Sequence, residues 1–316
     1  MVEIPFFGGG VSFNPTTDIP SLAGKVILVT GGNSGLGKQA ILDLVKHSPA
    51  RIWLAARNAE NARNTVAEIT SRCPDAAPLI KTLDLDLTSF ESIKAAAGRV
   101  VAESDRLDIL MLNAGIMMAP AGQTKEGYEI QFGTNHVGHA FLTKLLLEPL
   151  LLPTASRQED VRVVVVSSEG HRLPTMTGIP YDKVKTDMKD SYSVTRYGQS
   201  KLANVWFARE MARRYPQIKT VSVHPGAVNT NLATPFRESN WFLNTFSAPV
   251  MMLMTPVEIG VKNQLWAATG QPKESVVSGE YYVPVGKAGG SALSKDDKLA
   301  AELWEWTEKE LEGQSI

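Results

Sequence analysis

Residues 26–37 read Val26-Ile27-Leu28-Val29-Thr30-Gly31-Gly32-Asn33-Ser34-Gly35-Leu36-Gly37. Five β-prone residues running into glycines predict a buried strand over Val26–Thr30. Residues 37–46 then carry Ala40, Ile41, Leu44 and Val45 at helical spacing. A glycine cluster alone is a weak signal, but between a strand and a helix it has a definite use. Gly31, Gly35 and Gly37 permit a tight turn and close approach to a diphosphate, and the helix beyond offers free N–H groups and a positive dipole end. Asn33, Ser34 and Leu36 fill the turn, and Lys38 stands on the first helical turn.

The same rhythm continues outward. Strands are expected at Arg51–Ala56, 79–85, Ile109–Leu112, 161–166 and 220–224. Helices are expected at 59–71, 89–103, 126–152 and 194–214. Strand alternating with helix predicts an α/β fold, a single doubly wound, Rossmann-like parallel sheet with helices on both faces. Residues 1–23, with Pro5, Pro15, Pro20 and Gly8 to Gly10, read as an irregular leader, and 24–316 as one domain. Ligands of such sheets lie at the carboxyl ends of the strands.

Composition narrows the function classes. The 316 residues carry 32 basic and 33 acidic side chains, a net charge of -1, so nothing points to nucleic acid or an anionic membrane. A single cysteine, Cys73, excludes an intrachain disulfide and a multi-thiolate zinc site. No apolar run reaches the about 20 residues a membrane span needs, so a soluble, cytoplasmic protein is expected. His136, His139, His171 and His224 form no metal pattern, no metal is expected, and structural roles are expected for each.

Coenzyme choice is read at the end of the second strand. An acidic residue there binds a ribose 2′-OH, whereas an arginine accommodates a 2′-phosphate. Arg57 follows Ala55-Ala56, so NADP(H) is preferred, with NAD(H) second. Lys38 adds positive charge nearby in this reading. For the chemistry, Tyr-x-x-x-Lys places a phenol and an ammonium on one helix face. The cation is expected to lower the phenol pKa from about 10, making it a usable acid or base. The pattern occurs at Tyr181, Tyr197 and Tyr215. Tyr215 precedes Pro216, which disfavours helix, and Tyr181 lies in a polar stretch with poor periodicity. Tyr197, with Lys201, sits in the strong helical pattern.

Several short motifs stand in order along the chain. They are Thr30-Gly31-x-x-x-Gly35-x-Gly37, Leu85-Asp86-Leu87, Asn113-Ala114-Gly115, Asn135-x-x-Gly138, Ser167-Ser168, Tyr197-x-x-x-Lys201 and Pro225-Gly226. Together they resemble the short-chain dehydrogenase/reductase family over roughly residues 24–285. The stretches 112–117 and 197–204 are most similar to its retinol-dehydrogenase-like branch. The resemblance implies about seven parallel strands and hydride transfer between a nicotinamide coenzyme and a carbonyl or alcohol. It implies that Tyr197 donates the proton, Ser168 holds the carbonyl oxygen, Lys201 holds the nicotinamide ribose, and Asn135 positions a relay water. It places Asp86 and Leu87 beside the adenine, Asn113, Ala114 and Gly115 near the ribose, Pro225, Gly226 and Val228 at the nicotinamide, and Thr230 at the diphosphate. The family's usual Asn-Asn-Ala-Gly begins here with Leu112. Its common serine-to-tyrosine spacing would select Tyr181, but the branch has a longer insertion, so 170–192 is expected to be an extra loop. A homodimer or homotetramer is usual for the family.

The stretch 232–266 is rich in large apolar groups, among them Phe236, Trp241, Phe242 and Met251 to Met254. In the family this segment is a substrate lid, and flexible methionines with aromatics suit a bulky apolar carbonyl or alcohol substrate. The contrasting readings are a catalytically silent NADP-binding regulatory protein and a sugar-nucleotide epimerase. The first would tolerate loss of Asn135, Ser168, Tyr197 and Lys201, all of which are present. The second usually has a differently spaced glycine turn and a larger C-terminal domain.

Overall fold

The computed structural model describes residues 10–173, 178–228 and 254–316. Among the described residues eight strands form one sheet: β1 Val26–Thr30, β2 Arg51–Ala56, β3 Ile80–Asp84, β4 Ile109–Leu112, β5 Arg162–Val166, β6 Lys219–Val223, β7 Tyr281–Val283 and β8 Lys287–Ala288. Their order is β3-β2-β1-β4-β5-β6-β7-β8. Seven strands are parallel, and only the two-residue β8 turns back antiparallel on β7. The eighth strand goes beyond the expected seven and is too short to leave a periodic signal.

The order reverses at β1. Val29 pairs with Leu54 of β2 on one side and Met111 of β4 on the other. The chain therefore leaves β1 toward one edge and later returns to the other side, opening a crevice at the carboxyl ends of β1 and β4. Both faces are covered, which is why these strands read as unbroken apolar runs. Leu28, Trp53, Leu110, Val163 and Val165 face one core, with Phe90–Glu103, the helical stretch 130–156 and Ser193–Arg214. Ile27, Val29, Leu54, Val164 and Val221 face the other, with Gly35–Leu44 and Lys262–Thr269.

Three features depart from the sequence reading. Residues 10–23 have an irregular backbone apart from the turn Pro15–Asp18, yet Phe13, Ile19 and Leu22 are buried in the second core. The expected 126–152 helix begins after Glu129, whose carboxylate accepts the Phe132 N–H at 2.7 Å, and extends to Ser156. It is interrupted by π turns at Gly133–Val137 and Leu147–Leu151. Such single turns often mark functional positions, and the first contains Asn135. Third, the unexpected helix Asp297–Glu310, capped by Asp296, lies along Ser193–Arg214, with Trp304 stacked on Phe207 at 5.6 Å. Among the described residues no helix is long and apolar enough to cross a membrane.

Burial of histidines gives the fold an acid limit. Burial pulls His136 down to about 3, and His139 and His224 to about 4. Unfolded histidine takes a proton near pH 6.5. Between pH 6.5 and 4 the unfolded chain therefore binds protons that the folded chain refuses, and stability falls as pH falls. Melting followed by calorimetry from pH 7 to pH 4 should show a steadily decreasing Tm. Replacing His136 with Gln, which can still meet Thr307, should flatten that slope; an unchanged slope would contradict the assignment.

Candidate active site

The glycine turn has the geometry its sequence suggests. Gly31 and Gly35 adopt φ of 65° and 49°, where a β-carbon is strained. Gly37 is constrained by space instead: a β-carbon there would lie 2.3 Å from the Gly31 carbonyl oxygen and 2.6 Å from Asn113 Nδ2. Ser34 is the extended N-cap of helix Gly35–Leu44 and makes no side-chain capping bond, so the first N–H groups of that helix are left without a side-chain cap. Leu36 packs partly into the core and Asn33 accepts the Thr65 hydroxyl through its carbonyl at 2.9 Å.

Arg57 stands exposed just beyond β2, without a partner among the described residues. Its neighbour Asn58 caps helix Ala59–Arg72. Lys38 forms a surface ion pair with Glu68. Its ammonium donates to both Glu68 carboxylate oxygens at 3.0 and 2.9 Å, so its charge is already paired.

At the end of β3, Asp86 Oδ1 accepts the Thr88 N–H and hydroxyl at 2.9 and 2.7 Å, while Leu87 is buried beside Gly138. Asn113 bridges the switch point, donating from Nδ2 to the Thr30 carbonyl at 2.8 Å. Gln264, which the sequence reading missed, approaches Asn113 Oδ1 at 3.4 Å. Ala114 and Gly115 follow, and a β-carbon on Gly115 would lie 3.1 Å from Asn135 Oδ1 and 3.4 Å from Lys201 Nζ. This brings the motif at β4 directly against two of the expected catalytic residues. A cradle that β-carbons would fill, free helix N–H groups and an unpaired arginine together suit a dinucleotide carrying phosphate.

Tyr197 and Lys201 lie on Ser193–Arg214, both buried. Ser168 Oγ accepts the Gly170 N–H at 3.0 Å, and Gly170 packs against both Ser168 Oγ and the Tyr197 ring, where a β-carbon would lie 3.3 and 3.0 Å from them. Because that lone pair is taken by a fixed donor, the Ser168 proton is directed elsewhere. Lys201 Nζ donates to the Val166 carbonyl at 3.1 Å and lies 5.7 Å from the Tyr197 ring centre. The Asn135 side chain uses both its donors and accepts one bond. It accepts the Ile116 N–H at 2.9 Å and donates to the Ile116 carbonyl at 3.0 Å and Ser200 Oγ at 2.9 Å. Ser200 passes on to the Tyr197 carbonyl at 2.7 Å. Tyr181 is not brought here; it packs on Trp306 at 5.3 Å. Tyr215 ends its helix outside helical geometry.

The electrostatics correct one expectation. The Tyr197 phenol is raised above its ordinary value, not lowered, although Lys201 Nζ lies 5.7 Å from its ring centre. Burial pushes the phenol up to about 12, opposed by the neighbouring Ser168 hydroxyl, and burial pulls Lys201 down to about 8. Desolvation of the phenolate outweighs an ammonium already donating to a carbonyl.

Pro225 and Gly226 follow β6, with Gly226 at φ 95°, and Val228 bridges to Thr255. Thr230 and residues 232–253 of the expected lid lie outside the described residues. Leu265 and Trp266, at the end of the expected lid, belong to helix Lys262–Thr269 and are buried in the second core. Sequence reading also missed support beneath Ser168. His171 Nδ1 donates to the Ser168 carbonyl at 2.7 Å, and Tyr281 donates to Glu169 at 2.9 Å. Nor did it find the buried Arg196–Glu129 pair at 2.6 Å, which anchors the residue before Tyr197. Among the described residues no group of three or more His, Cys, Asp or Glu could hold a metal.

Comparison with known proteins identifies the family. The short chain dehydrogenase family profile matches residues 25–241. A short-chain dehydrogenase/reductase of Armillaria gallica is 36% identical over 296 residues, covering 92% of this chain and 91% of its own. Retinol dehydrogenase 11 of Homo sapiens is 35% identical over 293 residues, covering 92% and 86%. A crystal structure from Mycobacterium paratuberculosis superposes with a TM-score of 0.71 at 28% identity, covering 95% of this chain and 97% of that one. With the glycine turn at the switch point and Ser168, Tyr197 and Lys201 gathered beside it, the chain belongs to the oxidoreductases of the short-chain dehydrogenase/reductase family, in its retinol-dehydrogenase-like branch.

Proposed function

We propose that the protein reduces a ketone or aldehyde on a bulky apolar skeleton, with NADPH as coenzyme. The observation that carries this reading is the meeting of Ser168, Tyr197, Lys201 and Asn135 beside the glycine turn at the sheet's switch point. The turn residues 31–37 would hold the diphosphate, Arg57 the 2′-phosphate, and Lys201 the nicotinamide ribose. Bound there, the coenzyme supplies the hydride.

The chain's own residues supply orientation and the proton. Ser168, its oxygen already accepting the Gly170 N–H, donates toward the substrate carbonyl. Tyr197 donates the proton that oxygen needs as negative charge develops on it. A phenol pushed up to about 12 is fully protonated at neutral pH, which suits the reductive direction. The apolar substrate class is supported by the composition of 232–266 and by the similarity to a retinol dehydrogenase. A cytoplasmic setting and an assembly of two or four copies accompany this reading.

The test is NADPH oxidation by the purified protein against a panel of bulky aldehydes and ketones, with Tyr197→Phe as control. Turnover present in the native protein and lost in the control supports the reading. Absence of turnover together with retained NADPH binding would favour the silent regulatory alternative.

A further inference from the structure

His139 is nearly inaccessible, at 2% exposure, one helical turn beyond Asn135. Its Nδ1 lies 3.0 Å from the Asn135 backbone carbonyl, and its Nε2 lies 2.9 Å from Thr30 Oγ1. A carbonyl oxygen can only accept, so Nδ1 carries the hydrogen. Burial pulls the ring down to about 4, so at neutral pH it has one hydrogen and Nε2 is a lone pair. Thr30 must then donate to Nε2. Its other acceptor, the Met111 carbonyl, is farther off at 3.5 Å. The Thr30 oxygen in turn accepts the N–H groups of Asn113 and Ala114, each at 2.9 Å. Every donor and acceptor in this chain is assigned by elimination.

We propose that His139 is a positioning residue, held as the Nδ1–H tautomer, that locks the Asn135 carbonyl to the β1 and β4 ends of the coenzyme crevice through Thr30. This rests on the reading of Asn135 and Tyr197 as parts of the reductive site. Both Nδ2 hydrogens of Asn135 are spent on Ile116 and Ser200, so the residue can meet a relay water only through an oxygen, and its backbone carbonyl keeps one lone pair beyond the His139 bond. The π turn Gly133–Val137 shifts the helical hydrogen-bond register at this residue. A ring spanning from that turn to Thr30 fixes where the carbonyl points. Thr30 immediately precedes the diphosphate turn, so one chain of hydrogen bonds ties both halves of the site together.

Two independent measurements test this. Long-range ¹H–¹⁵N NMR of the imidazoles, with His139 assigned by His139→Gln, should show a protonated Nδ1 and a lone-pair Nε2 from pH 6 to 8. An Nε2–H tautomer, or titration near the ordinary histidine value, overturns the proposal whether or not any substrate is turned over. In the kinetic arm, His139→Phe should lower kcat at least tenfold with substrate KM changed less than threefold, and the solvent isotope effect should rise as proton transfer becomes limiting. His139→Gln, which can donate and accept at once, should recover most of the loss. Thr30→Val combined with His139→Phe should lose no more than the worse single variant, because both break one chain. A His139→Phe enzyme within twofold of native kcat, or Gln no better than Phe at equal Tm, overturns it. Failure of the native protein to reduce any carbonyl would instead overturn the reading of the reaction and leave the NMR result to judge the tautomer and the lock.

Discussion

Tyr197→Phe is expected to lower turnover by about 10²–10⁴-fold, the usual contribution of a positioned general acid. The change removes one hydroxyl and keeps the ring. Tyr197 is 6% exposed, with its ring against Gly170, where a β-carbon would lie 3.0 Å from Cε1. Phenylalanine fills that space, so the loss should appear in kcat rather than in Tm. NADPH affinity should stay within threefold, because the phosphate turn and Arg57 are untouched. Tyr181→Phe should retain most turnover, since Tyr181 packs on Trp306 away from Ser168. Steady-state kinetics with fluorescence titration of NADPH checks all of this. Inactivity of the Tyr181 variant with an active Tyr197 variant would move the proton donor to the polar loop.

The legible parts of the molecule were those where one residue type answers to one local physical demand. A strand buried on both faces reads as a nearly continuous apolar run, so β1, β2, β4 and β5 showed themselves. Glycine at 31, 35 and 37 answers to backbone shape and space, and Pro216 after Tyr215 ends a helix. Less legible were features made by distant partners. Lys38 looks like a free cation until Glu68, thirty residues on, is placed against it. Lys201 sits at the right spacing to tune Tyr197, but the sequence does not show how deeply the phenol is buried or that Val166 takes the ammonium. The π turn around Asn135 leaves the residues at ordinary helical spacing, so periodicity alone cannot reveal it. A clue was nevertheless present: His139 is four residues beyond Asn135, the distance at which a side chain reaches back along a helix. The acidic first turn after Asp296 could likewise have announced the helix that carries Trp304.

Arg57→Asp is expected to reverse the coenzyme preference. A guanidinium on a phosphate dianion makes charge-assisted hydrogen bonds of about 1.5–3 kcal/mol. At about 1.4 kcal/mol per tenfold, removing them weakens NADPH by about 10–100-fold. Aspartate also places a negative charge beside the 2′-phosphate, which adds to the loss, while for NADH it supplies an acceptor for the ribose 2′-OH. The NADPH to NADH preference should therefore shift by about 10²–10³-fold, with NADH binding unchanged or improved. Lys38→Ala is the informative control. If Lys38 held the 2′-phosphate, its loss would resemble that of Arg57. Because Glu68 already occupies its ammonium at 2.9 Å, the alanine variant should alter NADPH affinity by less than threefold. Salt separates the two further: raising it from 50 to 300 mM should weaken NADPH in the native protein and have less effect once Arg57 is gone, since exposed ion pairs are screened. Equal weakening of both coenzymes by Arg57→Asp would mean that Arg57 shapes the end of β2 without reading the phosphate.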